Sequence, residues 1–544
     1  MPERASTLAP FRVPTFRRLW SATLVSNLGG LIQTVGAGWM MATIATSDDM
    51  VALVQASTTL PIMLFSLPAG ALADTFDRRR IMLIAQSFMM IVSVLLASFA
   101  WLDLLGPWGL LSFTFLIGVG TALHNPSWQA SMGDIVPRHD LPQAVTLNSM
   151  GFNLMRSVGP AIGGVIVATL GAAAAFTANA LSYAALIIAL WAWRPAPRPK
   201  VAREPFGTAI LAGLRYVSMS PNLLKVQGRS ALFGLTAVAG MALMPLVARD
   251  LLGGGAFTYG LLLGGFGMGA ILGALANGWI RERMSNESIV RLAFLLFGGA
   301  IMVTALSRSI WITAPALTLA GTCWVLALSL FNVSVQLATP RWVVGRALAL
   351  YQTATFGGMA LGAWCWGLVA ESHGVSAALI AAGVLMIGGA LLGLRYGLPA
   401  FATVNLDPLD RFSEPALKLD LRQRSGPLMI MVDFVIPQHR VDEFLAAMSD
   451  RRRIRLRDGA RNWNLMRDLE NPDLWTESYH VPTWADYVRH NQRRTKSDSE
   501  VTERLMALHE GPEPPRVHRM IERQTVPVTD DMLLRPAKVP DIPH

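Results

Sequence analysis

Between two long apolar runs the chain reads Gly70-Ala-Leu-Ala-Asp74-Thr-Phe-Asp77-Arg78-Arg79-Arg80, which places five charges in one short connection. An ionised side chain at the centre of a bilayer costs about 2.5–3.5 kcal/mol on the mildest scale. A stretch this charged, flanked by runs this apolar, predicts a tight aqueous turn between two membrane helices.

Composition agrees with that reading. The 544 residues are 52% hydrophobic and 15% charged, whereas ordinary soluble domains carry about 25% charged residues. Charge is sparse up to about residue 397 and dense beyond it, which predicts a membrane part followed by a soluble one. The net charge of +10 would suggest nucleic acid if taken alone, but membrane proteins gather Lys and Arg in cytoplasmic loops. No nucleic-acid partner is therefore expected. Cys323 and Cys365 fall inside apolar runs and are too few for a disulfide framework. Residues 1–18 lack a short apolar core with a small-residue cleavage site, so the first membrane helix is expected to act as the targeting signal.

A membrane span needs about 20 mostly apolar residues. On that criterion spans are expected near 19–45, 51–73, 79–101, 108–131, 141–170 and 173–193, and again near 223–250, 256–280, 288–307, 311–336, 343–370 and 375–397. One side of these spans carries Arg4, Arg12, Arg17, Arg18, Arg78 to Arg80, Arg138, Arg194, Arg198, Lys200, Arg203, Arg215, Arg281, Arg283, Arg291, Arg341 and Arg346, and the other Arg249 and Arg308. Basic residues near span ends mark the cytoplasmic side, so both termini are expected there. Arg194 to Pro205 is rich in Pro and basic residues, and Phe206 to Met219 has apolar residues at helical spacing, which predicts a linker with an amphipathic helix on the membrane surface.

The two groups of spans echo one another. Gly-Ala-Leu-Ala-Asp74 is matched by Gly-Ala-Leu-Ala-Asn277, and Asn125-Pro-Ser127-Trp-Gln129 by Asn332-Val-Ser334-Val-Gln336. Taken with the charged turn, this duplication resembles the major facilitator superfamily, in which Gly-x-Leu-Ala-Asp and a basic cluster mark the loop between the second and third helices. The resemblance covers residues 12 to 397. It implies an all-α polytopic membrane protein of twelve transmembrane helices in two six-helix repeats, with the substrate site near the midplane between the repeats.

The resemblance also suggests site residues. Asp74 closes a helix whose dipole disfavours an anion at that end, so it needs a positive partner. The start of the eleventh span, near Arg346, offers one, and in the family this Asp contacts the other half in one transport state. Gly70, Asp74, Arg78, Arg79 and Arg346 thus form the expected conformational switch, although Asp77 stands where the family commonly has Gly. Arg156-Ser-Val-Gly159-Pro160-Ala-Ile-Gly163-Gly164 in the fifth span resembles the motif of exporting antiporters, with Met155 where another Gly is usual. Arg156 is expected to lie within the bilayer, either binding an acidic group of the substrate or serving as a structural charge. The first span offers Asn27 and Gln33 but no carboxylate, which leaves His124 as the internal proton candidate, since an imidazole titrates near pH ~6.5. Asp134 and Glu371 are alternatives nearer the ends of the spans. Asn125, Asn153, Asn332 and Gln336 join Asn27, Gln33 and His124 as candidates for a substrate or proton pathway, in company with Gln129, Asn148, Asn179 and Gln352. Trp39, Met40, Met41, Trp128, Met241, Met244 and Trp324 suggest an adaptable apolar lining, or packing.

After a transition over 398–426 the period changes. Leu428–Ile436 alternates as a strand, Val441–Arg453 reads as a helix, and Asn462–Leu469 and Trp475–Val481 read as strands. Thr483–Arg494 and Ser497–His509 read as helices, and Val517–Gln524 as a last strand. That order is the order of a soluble α+β ferredoxin-like domain, and it resembles the dimeric α+β barrels that include small antibiotic-biosynthesis monooxygenases. An enzyme there would use Asn462, Trp463, His480 or His490. No metal-ligand spacing or nucleophile triad appears, so no cofactor and no enzyme activity are expected, and regulation or pairing of subunits is the expected role. Arg451, Arg452, Arg453, Arg455 and Arg457 suggest either contact with anionic lipid or a solvated helix face.

The expected organisation is a first six-helix bundle over 1–194, a linker over 195–222, a second bundle over 223–397, a connection over 398–426, the soluble domain over 427–525 and a tail over 526–544. By resemblance to the enterobactin-exporter-like branch, the chain is expected to export a small amphipathic molecule, a siderophore, drug or metabolite, across the bacterial cytoplasmic membrane in exchange for protons. An importer of the same fold, or a membrane-anchored sensor or enzyme acting through the C-terminal domain, are the alternatives.

Overall fold

A computed structural model describes residues 8–195, 206–340, 342–398, 409, 412, 414–415 and 417–522. The chain divides into two compact units. The first comprises Met1–Phe206, Asn222–Gln336 and Gly345–Ala400, and the second Gly207–Pro221, Leu337–Val344 and Phe401–His544.

The first unit is helical. Its N-terminal bundle holds α1 (Pro14–Ile44), α2 (Asp48–Thr75), α3 (Arg78–Trp101), α4 (Pro107–Ile135), α5 (Leu141–Leu170) and α6 (Ala172–Ala192). After α7 (Phe206–Ser218), most of which belongs to the second unit, come α8 (Pro221–Ala242), the short α9 (Met244–Leu246) and a π-helical turn (Val247–Leu251). The C-terminal bundle continues with α10 (Ala256–Arg283), α11 (Asn286–Leu306), α12 (Ile310–Leu337), α13 (Val344–His373) and α14 (Val375–Arg395). Among the described residues ten helical segments are long and apolar enough to cross a membrane. The 31-residue α1 and the 30-residue α13 have the length but lie outside that group. For α1 the reason is visible in its sequence, which carries Thr23, Ser26, Asn27, Gln33 and Thr34 between its apolar residues.

The opening stretch forms a turn whose chemistry accounts for its charges. Asp77 caps α3, its carboxylate accepting from the N–H groups of Arg79 and Arg80 at 2.9 and 3.3 Å, which satisfies donors that a helix start leaves unpaired. Arg78 donates to the Ala73 carbonyl at 3.1 Å and pairs with Asp134 at 3.1 Å, while Arg79 reaches the carbonyls of Leu190 and Trp191 at 2.8 and 2.9 Å. The loop thus ties together the ends of α2, α4 and α6. The two repeats also turn alike. Gly171 between α5 and α6 and Gly374 between α13 and α14 both stand at φ +84°, a conformation that favours glycine, and the same interval separates them as separates Asp74 from Asn277.

The bundles have different interiors. In the first, Gln33 accepts from Ser93 Oγ at 3.1 Å and from the Asn179 amide, which also donates to Tyr183 at 3.2 Å. In the second, Phe233 packs on Phe294, Phe297, Trp324 and Phe331 with ring centroids 5.2–6.3 Å apart, which closes that bundle with hydrocarbon.

The second unit carries β1 (Leu428–Val435), α15 (Val441–Asp458), β2 (Arg461–Arg467), β3 (Leu474–Val481), α16 (Trp484–Gln492), α17 (Lys496–Leu508) and β4 (Arg516–Ile521). Its antiparallel sheet runs in the order β2-β3-β1-β4. Alternate residues of β1 are buried, as period-two patterning demands, and Phe434 packs with Phe444 and Trp475. The basic stretch of α15 is neither a solvated face nor wholly free for lipid, because Arg451 and Arg455 are buried under the sheet.

Candidate functional site

Within the first unit a cavity of about 280 Å³ opens among α1 to α6, α9 and the facing ends of α8 and α10. The first bundle supplies nearly all of its wall. Asn27, Gln33 and Thr34 come from α1, Gln55 and Thr58 from α2, Gln86 and Met89 from α3, and Thr121, His124 and Asn125 from α4. The second bundle adds Met241, Ala242, Pro245 and Tyr259. Helical spacing on four helices thus turns amides, hydroxyls and one imidazole inward, while Asp, Glu, Lys and Arg are absent from the described lining residues.

The polar groups differ in how they are engaged. Gln33 is held by Ser93 and Asn179. Gln86 Oε1 and His124 Nδ1 are buried without a hydrogen-bond partner, which leaves them capacity for a ligand or water. The sequence reading found Asn27, Gln33, His124 and Asn125 in this cavity but overlooked Gln86 and Gln55. A lone Gln in the middle of an apolar span was the available signal for each.

The remaining expected site residues fall elsewhere. Asn153 donates to the Ser149 carbonyl at 2.9 Å, and Gln336 donates to Asn332 at 2.5 Å, none of them in the cavity wall. Arg156 is not in the wall either. Its guanidinium carbon lies 5.4 Å from the Phe266 ring centroid and 5.7 Å from that of Trp324, close enough for cation–π attraction. The aromatic faces of α10 and α12 thus receive a charge that the sequence alone left either free for a substrate acid or paired within the bundle. Asp74 lies in the last turn of α2, and its side chain is outside the described residues. Gly70 lies one turn earlier with open space where a Cβ would stand, and Arg346 lies at the start of α13.

The glycines of the antiporter-like motif are packing surfaces. A Cβ on Gly159 would stand 2.8 Å from Leu31, and one on Gly163 would stand 3.0 Å from the Ile32 Cα, both on α1. Gly164 meets α10, where a Cβ on Gly260 would lie 2.6 Å from the Pro160 carbonyl and 2.8 Å from the Gly164 Cα. This backbone contact joins the two bundles along α5 and α10.

At the end of the bundles away from the Gly70–Arg80 turn stands a second charged cluster. Arg249, in the π-helical turn, donates to the Ala42 carbonyl at 2.6 Å, to Asp48 at 3.1 Å and to Asp250 at 2.6 Å. The Asp48 N–H donates to Glu371 at 2.5 Å. Residues from α1, α2 and the end of α13 are thereby fastened to the segment after α8, a link between bundles that no sequence motif announced.

The second unit has its own buried charges. Glu477 is fully buried and accepts from Arg451 at 2.8 Å, Arg455 at 3.3 Å and the Trp463 indole at 3.0 Å. Burial would raise its carboxyl, but the two guanidiniums outweigh burial and hold it at about 2. His490, which stacks near Tyr479 and meets Arg455 at 3.1 Å, is driven well below the usual imidazole range by burial and by Arg455. Arg457 stacks 5.2 Å from the Tyr216 ring of α7 and pairs with Asp498 at 3.0 Å, while Arg493 stacks 4.0 Å from Trp342. Among the described residues no cluster of His, Cys, Asp and Glu is placed to hold a metal. Asn462 and Trp463 lie on β2, His480 on β3 and His490 on α16, with no shared reaction centre formed by them.

Comparison with known proteins bears on this arrangement. A profile of the family described as transmembrane secretion effector matches residues 5–526. The chain is 28% identical to the enterobactin exporter EntS of Salmonella typhi over 71% of its own length and 92% of the exporter's. It is 25% identical to the multidrug efflux pump Tap of Mycolicibacterium fortuitum, over 72% of this chain and 97% of the pump. It is 26% identical to the staphyloferrin A transporter of Staphylococcus aureus, over 52% and 72%. Among solved structures, a D-xylose–proton symporter superposes with a TM-score of 0.58 at 14% identity, covering 72% of this chain and 99% of the symporter. These are transporters rather than enzymes, and this chain is a multi-pass membrane protein built to move a small molecule. It belongs to the transmembrane secretion effector family of the major facilitator superfamily.

Proposed function

We propose that the protein is a secondary exporter that carries a small amphipathic molecule across the bacterial cytoplasmic membrane by alternating access, in exchange for protons. The observation that carries the reading is the cavity, whose wall joins neutral polar groups to Leu31, Val54, Ile62 and Met89 between two bundles related by an internal repeat. Relatives whose names record siderophore and drug transport support a cargo of that kind. In this proposal α1 and α13 join the ten apolar segments, giving twelve spans with both termini in the cytoplasm. Asp74, Arg78, Arg79 and Arg346 with Gly70 form the cytoplasmic switch. Arg156, Gly159, Pro160, Gly163 and Gly164 set the α5 seam along which the bundles rock.

Proton exchange is assigned to His124, the one imidazole among the described lining residues, where carboxylates are absent. The C-terminal unit is proposed as a ferredoxin-like domain, since the strand order β2-β3-β1-β4 suits a β-α-β-β-α-β chain. Its proposed role is to regulate transport or to pair subunits. Everted membrane vesicles holding the protein should accumulate a cargo from a broad panel of siderophores, drugs and metabolites when acidified inside, and His124→Gln should abolish the dependence on the proton gradient while leaving the protein folded. Absence of gradient-driven uptake across a broad panel would refute export.

A further inference from the structure

The cavity distinguishes between cargoes by what its wall lacks and what it leaves unpaired. Asp, Glu, Lys and Arg are absent from its described lining residues. Two arginines of the bundles are engaged elsewhere, Arg156 on the Phe266 and Trp324 rings and Arg249 with Asp48 and Asp250. A charged cargo entering here would shed water and meet no counter-ion, and an uncompensated buried charge is strongly unfavourable.

The polar capacity is specific. Gln86 is 2% exposed and His124 is 7% exposed, and Gln86 Oε1 and His124 Nδ1 have no hydrogen-bond partner. They stand on neighbouring helices, α3 and α4, and both line the cavity. The contrast with Gln33 is informative, because that amide is already committed to Ser93 and Asn179. The free Gln86 Oε1 is an acceptor, and His124 Nδ1 accepts or donates according to its tautomer. Groups that match both are amides and hydroxyls. Beside them, Met89 and Ile117 on the same two helices, with Met241 and Pro245 from the second bundle, supply a surface for hydrocarbon or an aromatic ring.

We infer that the cargo is an uncharged molecule bearing amide or hydroxyl groups on an apolar frame, and that Gln86 with His124 recognises those groups. The inference rests on the transport reading but deepens it, since it sets aside permanently cationic drugs and carboxylate or catecholate anions as preferred cargo. It also locates selectivity in the first bundle, because the second contributes only an apolar edge and the Tyr259 phenol.

Equilibrium binding to the full-length protein in lipid nanodiscs tests it. Three radiolabelled probes serve: chloramphenicol, which is uncharged with an amide and two hydroxyls, tetraphenylphosphonium, a permanent cation, and 2,3-dihydroxybenzoate, an anion. Chloramphenicol should bind saturably, and neither ion should displace it at a large excess. Gln86→Leu should weaken chloramphenicol at least about tenfold, equivalent to about 1.4 kcal/mol, and the near-isosteric Gln86→Met should do the same if the leucine variant folds poorly. Binding of either ion as tight as that of chloramphenicol would overturn the inference. So would unchanged affinity in both Gln86 variants, or no saturable binding of chloramphenicol, in which case the two polar groups serve only to hold water. Binding in nanodiscs has no direction, so failure here is distinct from failure of export, which the vesicle experiment reads.

Discussion

Arg249 shows how much one side chain can fasten. It holds the end of α1 and the start of α2 to the turn after α8, and Asp48 extends the link to Glu371 on α13. The pair is partly exposed, so its charge attraction alone is modest, but hydrogen bonds to a charged group contribute about 1.5–3 kcal/mol. Arg249→Ala should therefore make that end open about tenfold more often, seen as faster maleimide labelling of a cysteine placed at Ala52, which packs against Gly367. Glu477 shows a second kind of commitment. Glu477→Gln leaves Arg451 and Arg455 buried without their counter-ion, and breaking a buried pair in this way costs about 3–5 kcal/mol. Amide exchange across β1 and β3 should rise accordingly. The pH dependence follows from the same site. A carboxyl held at about 2 in the fold, against an ordinary value of 4.5, adds stability that is complete above the ordinary value and is lost as pH falls from 4.5 towards 2. His490, held well below its ordinary 6.5, adds a loss that begins as pH falls below 6.5. Exchange protection of the sheet should thus decline in two steps on acidification, and the lower step should vanish in Glu477→Gln. At this scale residue type was readable but engagement was not. Asp77 and Arg78 could be seen to belong to a turn, yet nothing in the chain told which arginines of α15 would be buried, because Glu477 lies on a different element.

Among the helices, the seam between α5 and α10 depends on the absence of side chains. A Cβ on Gly260 would stand 2.6 Å from the Pro160 carbonyl, and overpacking of this kind costs about 1–3 kcal/mol. Gly260→Ala should lower both melting temperature and transport rate, whereas Gly299→Ala, with open space around it, should change neither. Most helices were legible from apolar length, and β1 was legible from its alternation. The π-helical turn at Val247–Leu251 was not, since the expected span simply ran through it to residue 250. The amphipathic α7 was predicted for the membrane surface. In the structure Tyr216 packs with Arg457 and Trp342, while Leu211 and Leu214 remain exposed.

Over the whole chain the repeat was legible in short echoes of sequence, and the matching turns at Gly171 and Gly374 give it a backbone counterpart. The divergence of the halves was not legible. One became a wall of amides and the other a cluster of rings, and only contact between distant residues reveals it. Since none of the cavity's described lining residues belongs to the second unit, a chain ending at residue 426 should retain chloramphenicol binding. Its turnover should change, because Tyr216 and Trp342 lose Arg457 and Arg493; paired binding and flux measurements on one preparation separate the two.

The stacking of Arg457 on Tyr216 and of Arg493 on Trp342 has a consequence for inheritance. The C-terminal stretch is not a detachable cassette, because its lock is keyed to two aromatic residues encoded far upstream, in the segments that lead into α8 and α13. A recombination event that moved residues 401–544 onto another transporter would leave the key behind. The unit of exchange is three separated stretches of the gene, and they must travel together or change together.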